Sequence, residues 1–184
     1  KAGHLWIYSN EVDIKETPLK SFEAGEPALI EASNGKTLGV AYVNPHSLIC
    51  ARIMSRDPEM RLDRSLFVHR FNQALALRQR LFDQPFYRLI HGEGDLLPGL
   101  IIDRFGDVLV VQLNTAGMQA LADEIVDALT AEDPLALFLL FGSAVVAVGT
   151  IDELLALDHE WIQEYFRGPR GRAAETAVAG SAEA

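Results

Sequence analysis

The amino-acid sequence predicts an α+β fold in which a small β-barrel precedes a small α+β unit. Four strand-like runs separated by turns fill residues 4–54, and a helical period begins only after Pro58. From residue 86 onward, short apolar runs are interrupted by one further helical stretch. With 184 residues and 49% hydrophobic side chains, the chain can form one medium domain or two small ones with real cores.

The barrel is predicted over residues 1–60. Its strands are rich in Val, Ile, Leu and aromatic residues, and they are expected at residues 4–8, 28–32, 37–43 and 47–54. Asn34-Gly35 predicts a hairpin turn, because both residue types tolerate the positive φ that a two-residue turn requires. Several short strands at close intervals favour a small barrel.

The second unit is predicted over residues 61–133. Apolar residues at helical spacing predict a helix from residue 64 to residue 82, and Asp63 is its expected N-cap. Three strands and a helix should follow, at residues 86–91, 100–103, 108–113 and 118–130.

The remaining sequence divides into two segments. Residues 134–167 predict one or two short strands and then two helices, at 150–157 and 158–166. The Gly, Pro, Ala, Ser and Glu content of residues 168–184 is typical of a disordered tail.

Composition limits the classes of function. The net charge of −10 opposes binding to a polyanion, so a nucleic-acid site would need a local basic surface. Cys50 is the single cysteine, which excludes an internal disulfide and favours a reducing cytoplasm. The longest apolar run, residues 134–149, is shorter than the roughly 20 residues of a membrane span. A chain that starts at Lys1 without an export signal suggests a truncated start.

Positive charge is concentrated in the first predicted helix. Residues 61–82 contain five arginines and one acidic residue. At helical spacing Arg70, Gln73 and Arg80 share a sector, which would present guanidinium groups to phosphates. A solvated helix face that balances neighbouring acids is the alternative.

Aromatic residues alternate along the first strand. His4, Trp6 and Tyr8 would share one face, where they could stack on unpaired bases or belong to the core. His69 and His91 lack the spacing of metal ligands, so no metal site is predicted.

A shaped loop is predicted between two strands, over residues 88–106. Glycines would supply unusual dihedral angles around Pro98, while Asp95 and Asp103 accept backbone N–H bonds and Arg104 pairs with one of them. Acid–base chemistry by Glu93, Asp95 and Asp103 is the alternative. The predicted loop residues are Arg88, Gly94, Asp95, Pro98, Gly99, Asp103 and Arg104.

Several segments resemble one family in their order. A basic residue and His4 precede Trp6 and the Tyr8-Ser9 pair, and these are followed by Gly25-Glu26-Pro27, the Asn34-Gly35 hairpin, the run over residues 39–45, Arg52 and the 88–106 loop. Over roughly residues 1–130 this order resembles the bacterial 23S rRNA cytosine-5 methyltransferases with an N-terminal PUA domain. The resemblance implies a PUA-like barrel that binds rRNA, and the late start of the chain suggests that its first strand is missing.

The catalytic parts of that family have no counterpart here. The family's S-adenosylmethionine domain carries a glycine-rich loop and a cysteine nucleophile, and neither motif occurs in this sequence. Cys50 lies in a predicted strand without a matched base, as a small buried hydrophobe would. We therefore predict no complete Rossmann domain, no cofactor in this chain and no catalytic residue.

A second resemblance covers residues 143–174. The run from Val145 to Ala156 and the segment from Trp161 to Gly168 resemble the end of an ABC-transporter ATPase subunit. The phosphate-binding loop GxxxxGK[ST] is absent, so the resemblance does not imply nucleotide hydrolysis. A fusion of two gene remnants would explain both resemblances.

The sequence thus predicts an RNA-binding accessory region of an rRNA methyltransferase-like protein. Its partner should be rRNA, without DNA specificity, and a homodimer stays open. A protein-interaction remnant, with Trp161, Tyr165 and Phe166 on its binding helix, is the main alternative, and a small enzyme built on the 88–106 loop is another. The predicted RNA-binding residues are Lys1, His4, Arg52, Arg56, Arg61, Arg64, Arg70 and Arg80.

Overall fold

Two β-sheets organise the chain. The computed structural model describes residues 4–106 and 108–129, and the backbone of residues 136–141 and 144–148. The first sheet contains four antiparallel strands in the order β1-β4-β3-β2. Their bounds are β1 Trp6–Tyr8, β2 Pro27–Glu31, β3 Thr37–Val43 and β4 Ile49–Ser55.

The first sheet has two edges, β1 and β2, among the described residues. The four strands were expected to close into a barrel, but β1 and β2 do not pair with each other, so the described strands form an open sheet. The predicted hairpin between β2 and β3 is confirmed, with Gly35 at a φ of +77°. Its geometry explains the glycine, because a side chain at positive φ is strained.

The two faces of the first sheet pack against different parts of the molecule. On one face Ala41, Val43, Ala51 and Ile53 form a small core to which Leu5 and Ile7 add their side chains. On the opposite face Val40, Tyr42 and Met54 join the main core, which they share with the second unit. The two units are thus packed on each other.

Helix α1, Arg64–Leu81, begins at the predicted residue. The side chain of Asp63 accepts a hydrogen bond from the backbone N–H of Ser65, as expected for an N-cap. Leu66, Phe67 and Phe71 are buried in the main core, so this side of the helix faces the sheets.

The second sheet has the order β5-β6-β7-β8-β9. Strands β7 and β8 are parallel, and the other neighbouring pairs are antiparallel. The bounds are β5 Phe86–His91, β6 Leu100–Phe105, β7 Val108–Leu113, β8 Ala136–Phe141 and β9 Ala144–Val148. A 3-10 turn, Gly92–Asp95, follows β5.

The predicted helix over residues 118–130 is instead two helices. Helix α2 is Ala116–Ala120 and helix α3 is Ala122–Leu129. Leu121 separates them at a φ of −103° and a ψ of 21°, outside helical geometry. A run of apolar residues at helical spacing does not by itself show such a local break.

Strands β8 and β9 continue the second sheet, although the sequence places them in a segment of their own. The domain boundaries after residues 60, 133 and 167 stay predictions. The helices expected at 150–157 and 158–166, the tail and most of the ABC-like segment lie outside the described residues. Within the described part of the chain, no helix has the length and apolar character needed to cross a membrane.

Candidate nucleic-acid interface

Basic and aromatic side chains meet where β1 pairs with β4. The strand register places Trp6 opposite Arg52. The Nη2 atom of Arg56 donates a hydrogen bond to the backbone oxygen of His4, at 2.9 Å. We call His4, Trp6, Tyr8, Arg52 and Arg56 the β1–β4 edge. Three of the predicted RNA-binding residues therefore lie together.

The rings of the β1–β4 edge contact each other. The ring centroids of His4 and Trp6 are 5.5 Å apart in an edge-to-face arrangement, and those of His4 and Tyr8 are 6.4 Å apart. His4 is exposed, while Trp6 and Tyr8 are half-buried. The alternate residues Leu5 and Ile7 supply the core contacts of this strand. The polar-aromatic side of β1 thus lies opposite the small core, on the face of the sheet where Tyr42 joins the main core.

The arginines of this edge have no acidic partner within the part of the chain that the structure describes. The ion pairs there are Arg78–Asp95 and Arg88–Asp103. Arg52 and Arg56 take part in neither. Arg56 donates to the backbone oxygen of His4, and half-buried Arg52 interacts with the Tyr42 side chain. Their remaining N–H groups could bind phosphate oxygens.

The other predicted arginines are dispersed. Arg61 is exposed, and the Nε atom of Arg64 donates to the backbone oxygen of Asp127 on α3. Arg80 is exposed near the opposite end of α1, about 24 Å from Arg64 along the helix axis. Lys1 lies outside the described residues.

Arg70 corrects a prediction. Its side chain is 8% exposed, and its guanidinium donates to the backbone oxygens of Met54 and Leu96. Burial lowers the pKa of this guanidinium. The expectation that Arg70 shares an exposed sector with Gln73 and Arg80 is wrong, because its position on α1 faces the end of β4. Arg70 is a structural residue.

Comparison with known protein families finds a match for the segment that contains the first sheet. Residues 1–56 match the sequence profile of the PUA-like domain family. The first sheet lies within this match, and we call it the PUA-like domain because of that similarity. This match covers the whole β1–β4 edge.

Relatives extend the likeness beyond the PUA-like domain. A protein named ribosomal RNA large subunit methyltransferase I from Aliivibrio fischeri is 40% identical over 129 residues, which is 68% of this chain and 32% of the relative. The protein of the same name from Pseudoalteromonas translucida is 38% identical over 138 residues, 73% of this chain and 34% of the relative. The chain thus spans about a third of the length of these relatives and is similar to them over that part.

Solved structures show the same fold. One protein, described as a SAM-dependent methyltransferase of Streptococcus mutans, superposes with a TM-score of 0.65 at 18% identity, over 79% of this chain and 38% of the other. A second, described as a methyltransferase complexed with SAH, gives 0.63 at 19% identity, over 76% and 36%. The PUA-like domain and the second unit therefore recur together in larger proteins.

Tyr42 joins the PUA-like domain to the second unit. Its hydroxyl donates to the backbone oxygen of Pro98 at 2.8 Å and lies 3.0 Å from Oγ1 of Thr115. A Cβ atom added at Gly117 would lie 2.1 Å from the Tyr42 ring, so only glycine fits there. Burial raises the pKa of Tyr42 to about 12. No local pattern indicated this role, since both partners are distant in sequence.

A second contact between the units starts at Trp6. Its Nε1 atom donates to Oε1 of Glu93, in the 92–95 turn, at 2.7 Å. Arg52 and Glu93 both influence the pKa of Tyr42, and Arg52 does so through a side-chain hydrogen bond as well as through its charge. The β1–β4 edge therefore borders the second unit.

Asp95 accepts a backbone hydrogen bond, as expected for a residue that holds the loop, and it also has a partner that the sequence did not reveal. Asp95 accepts a hydrogen bond from the backbone N–H of His91 at 2.7 Å. Arg78 binds both of its carboxylate oxygens, at 2.9 and 2.6 Å. Sequence reasoning missed Arg78, because nothing in the sequence distinguishes it from the other arginines of α1.

Asp103 pairs with Arg88 rather than with Arg104. The Nε and Nη2 atoms of Arg88 donate to the two oxygens of Asp103, at 2.8 and 3.0 Å, and this bond raises the pKa of Arg88. Arg104 instead donates to the backbone oxygen of Gly106 and to the Tyr87 hydroxyl. The expected pairing of Arg104 is wrong because antiparallel register sets Arg88 opposite Asp103.

The loop uses one of the two glycines expected to adopt unusual dihedral angles. Gly99 has a φ of +82°, as predicted beside Pro98. Gly94 does not have a positive φ, and Gly92 and Leu96 do, at +55° and +61°. The prediction for Gly94 is therefore wrong. Proline and glycine content located this loop but did not identify which residues turn the chain.

Cys50 and the loop carboxylates do not form a reactive cluster. Cys50 is fully buried, and burial raises the pKa of its thiol, which disfavours the thiolate. Glu93, Asp95 and Asp103 are each engaged by a hydrogen-bond donor described above. Within the described residues, no group of three His, Cys, Asp or Glu side chains could hold a metal ion.

Proposed function

We propose that this chain is an RNA-binding region and that its PUA-like domain binds RNA through the β1–β4 edge. The observation that carries the proposal is the juxtaposition of Arg52 and Arg56, which form no ion pair among the described residues, with the aromatic side chains of β1, of which His4 is exposed. Arginines contact phosphates and aromatic rings contact bases in RNA-binding proteins. The match to a PUA-like domain supports this role.

The partner that we propose is rRNA. The relatives named above carry rRNA methyltransferase in their names, and they align with this chain over about a third of their own length. In a full-length protein, this region would hold rRNA for a separate methyltransferase domain. We also propose that this separate domain would methylate C5 of a cytosine, because the 88–106 segment is part of the resemblance to the cytosine-5 methyltransferases.

We place S-adenosylmethionine binding outside the described residues. A nucleotide cofactor in this kind of fold needs an open, glycine-rich turn from a strand to a helix. Thr115 caps the start of α2 and Gly117 lies in its first turn, and the Tyr42 side chain packs against both. The residues present therefore do not fit the cofactor, and we assign no chemical step to them.

Fluorescence anisotropy with a structured rRNA hairpin tests the proposal. We expect the double variant Arg52→Gln/Arg56→Gln to bind more weakly than the wild type. The slope of log affinity against log salt should become shallower by roughly 1.5, because two phosphate contacts are lost.

The matched control is Lys15→Gln/Lys36→Gln, which makes the same change in net charge at exposed positions elsewhere in the PUA-like domain. It should retain the wild-type slope. Equal effects of the two double variants would show that general charge, rather than the β1–β4 edge, governs binding. No binding by the wild type at low salt would contradict the proposed function.

A further inference from the structure

The aromatic face of β1 is oriented toward the 92–95 turn. Trp6 reaches this turn through its hydrogen bond to Glu93. His4 and Tyr8 flank Trp6 on the same face, and the His4 ring contacts both neighbours. The indole is therefore fixed on one side by Glu93 and on the other by His4.

Within the described residues, His4 and Tyr8 make no such hydrogen bond to the 92–95 turn, and the Nδ1 atom of His4 accepts from the backbone N–H of Trp6 at 3.3 Å. His4 is exposed and Tyr8 is half-buried, and neither belongs to a buried cluster of the described residues. Part of each side chain is thus accessible from solvent. The strand β1 is also an edge of its sheet, so no neighbouring strand covers it on its outer side among the described residues.

Cationic groups stand beside these rings. Arg52 lies opposite Trp6 in the register, and the Arg56 guanidinium is 2.9 Å from the backbone oxygen of His4. A nucleotide presents a planar base and a charged phosphate at a short distance from each other. The surface offers complementary groups for both within the length of one short strand.

We propose that the β1–β4 edge binds an unpaired RNA nucleotide, whose base stacks on His4 and Tyr8 while Arg52 and Arg56 contact the adjoining phosphates. This inference rests on the proposed RNA-binding function and specifies the form of RNA. In a paired helix the faces of the bases are already stacked, whereas a bulged or terminal base can stack on a side chain. The edge therefore selects RNA with an unpaired base over a continuous duplex.

The test uses the full chain and two RNA hairpins that differ by one bulged nucleotide, 2-aminopurine. Wild-type protein should bind the bulged hairpin roughly fivefold to a hundredfold more tightly than the fully paired hairpin, the range given by one base stacked on an aromatic ring. The fluorescence of 2-aminopurine should be quenched on binding. Tyr8→Leu should lose the preference and the quenching, whereas Tyr8→Phe should keep both.

His4→Ala is the second variant, because an exposed side chain can be removed without disturbing the core. It should also reduce the preference for the bulged hairpin. Equal affinity of the wild type for both hairpins, with binding that weakens in salt, would overturn this inference and leave the proposed function standing. Failure to bind either hairpin at low salt would overturn both.

Discussion

Tyr42 connects sequence positions that no local pattern relates. Its hydrogen-bond partners Pro98 and Thr115 lie 56 and 73 residues away in the chain. The sequence shows Tyr42 only as one residue of an apolar strand. Its contribution depends on burial of the hydroxyl between two units, which arises only when both have folded.

The raised pKa of Tyr42 predicts a specific dependence of stability on pH. A group whose pKa is raised in the folded state stabilises the fold fully below its unfolded pKa, and this contribution is lost as the pH rises through the folded pKa. For Tyr42 the window runs from the ordinary value of 10.0 to about 12. The loss across this window is about 3 kcal/mol of unfolding free energy.

Urea unfolding of the wild type and of Tyr42→Phe, at several pH values, measures this effect. At pH 8 the variant should be less stable by about 1–3 kcal/mol, because the buried oxygen of Pro98 loses its donor. The difference should shrink as the pH rises above 10. A difference that stays constant up to pH 11.5 would show that the hydroxyl is not held in its protonated form by burial.

Arg70 illustrates the limit of helical spacing at the level of one residue. Spacing placed it near Gln73 and Arg80 on α1, but the position of Arg70 is covered by the end of β4 and the residues after the 92–95 turn. The charge of the Arg70 side chain favoured an exposed position. The outcome was decided by two backbone oxygens that become available only through tertiary packing.

Helix α1 begins at the predicted residue and ends one residue before the predicted end, and it connects several parts of the molecule. Its start, its cap and its buried apolar side follow from local chemistry and spacing. Its polar contacts do not, since Arg78 binds Asp95 in the 92–95 turn across the surface of the core. The roles of Asp95 and Arg78 became clear only when the structure showed that they form an ion pair.

Arg78 and Arg80 form a matched pair for testing this element. The side chains of Arg78 and Asp95 are 12% and 11% exposed, so Arg78→Met leaves a nearly buried carboxylate without its cation. We expect a loss of about 3 kcal/mol of unfolding free energy for Arg78→Met. The same change at exposed Arg80 should alter stability by less than about 0.5 kcal/mol.

Chemical denaturation of the two variants at neutral pH gives the comparison. The result would contradict the assigned role if Arg78→Met were as stable as Arg80→Met. The ion pair would then not link α1 to the turn that holds Glu93 and, through Glu93, Trp6.

At the scale of the whole molecule, the sequence predicted the elements better than their assembly. Strands β3, β5 and β7 have the predicted bounds, since apolar runs between turns define them locally. The parallel pairing of β7 with β8 was not predicted, because the direction of pairing depends on the connection over α2 and α3. The resemblance located the PUA-like domain, whereas its shared core with the second unit required the structure.

The candidate site was predictable only in part, because local patterns indicate its residues but not how they are assembled. His4, Arg52 and Arg56 came from charge and resemblance, and the register of β1 and β4 brings them together. The acidic net charge of the chain obscured this local surface. The position of His4, Trp6 and Tyr8 opposite the small core became evident only when Leu5 and Ile7 proved to pack into that core.

Photo-crosslinking of the unmodified chain to a rRNA hairpin that contains 4-thiouridine, followed by mass spectrometry of the peptides, tests the central claim most directly. The account predicts crosslinks in peptides that contain residues 4–8 and 49–56, the two strands of the β1–β4 edge and their flanking residues. Crosslinks confined to the end of α1 near Arg80, or distributed over the surface without preference, would contradict it.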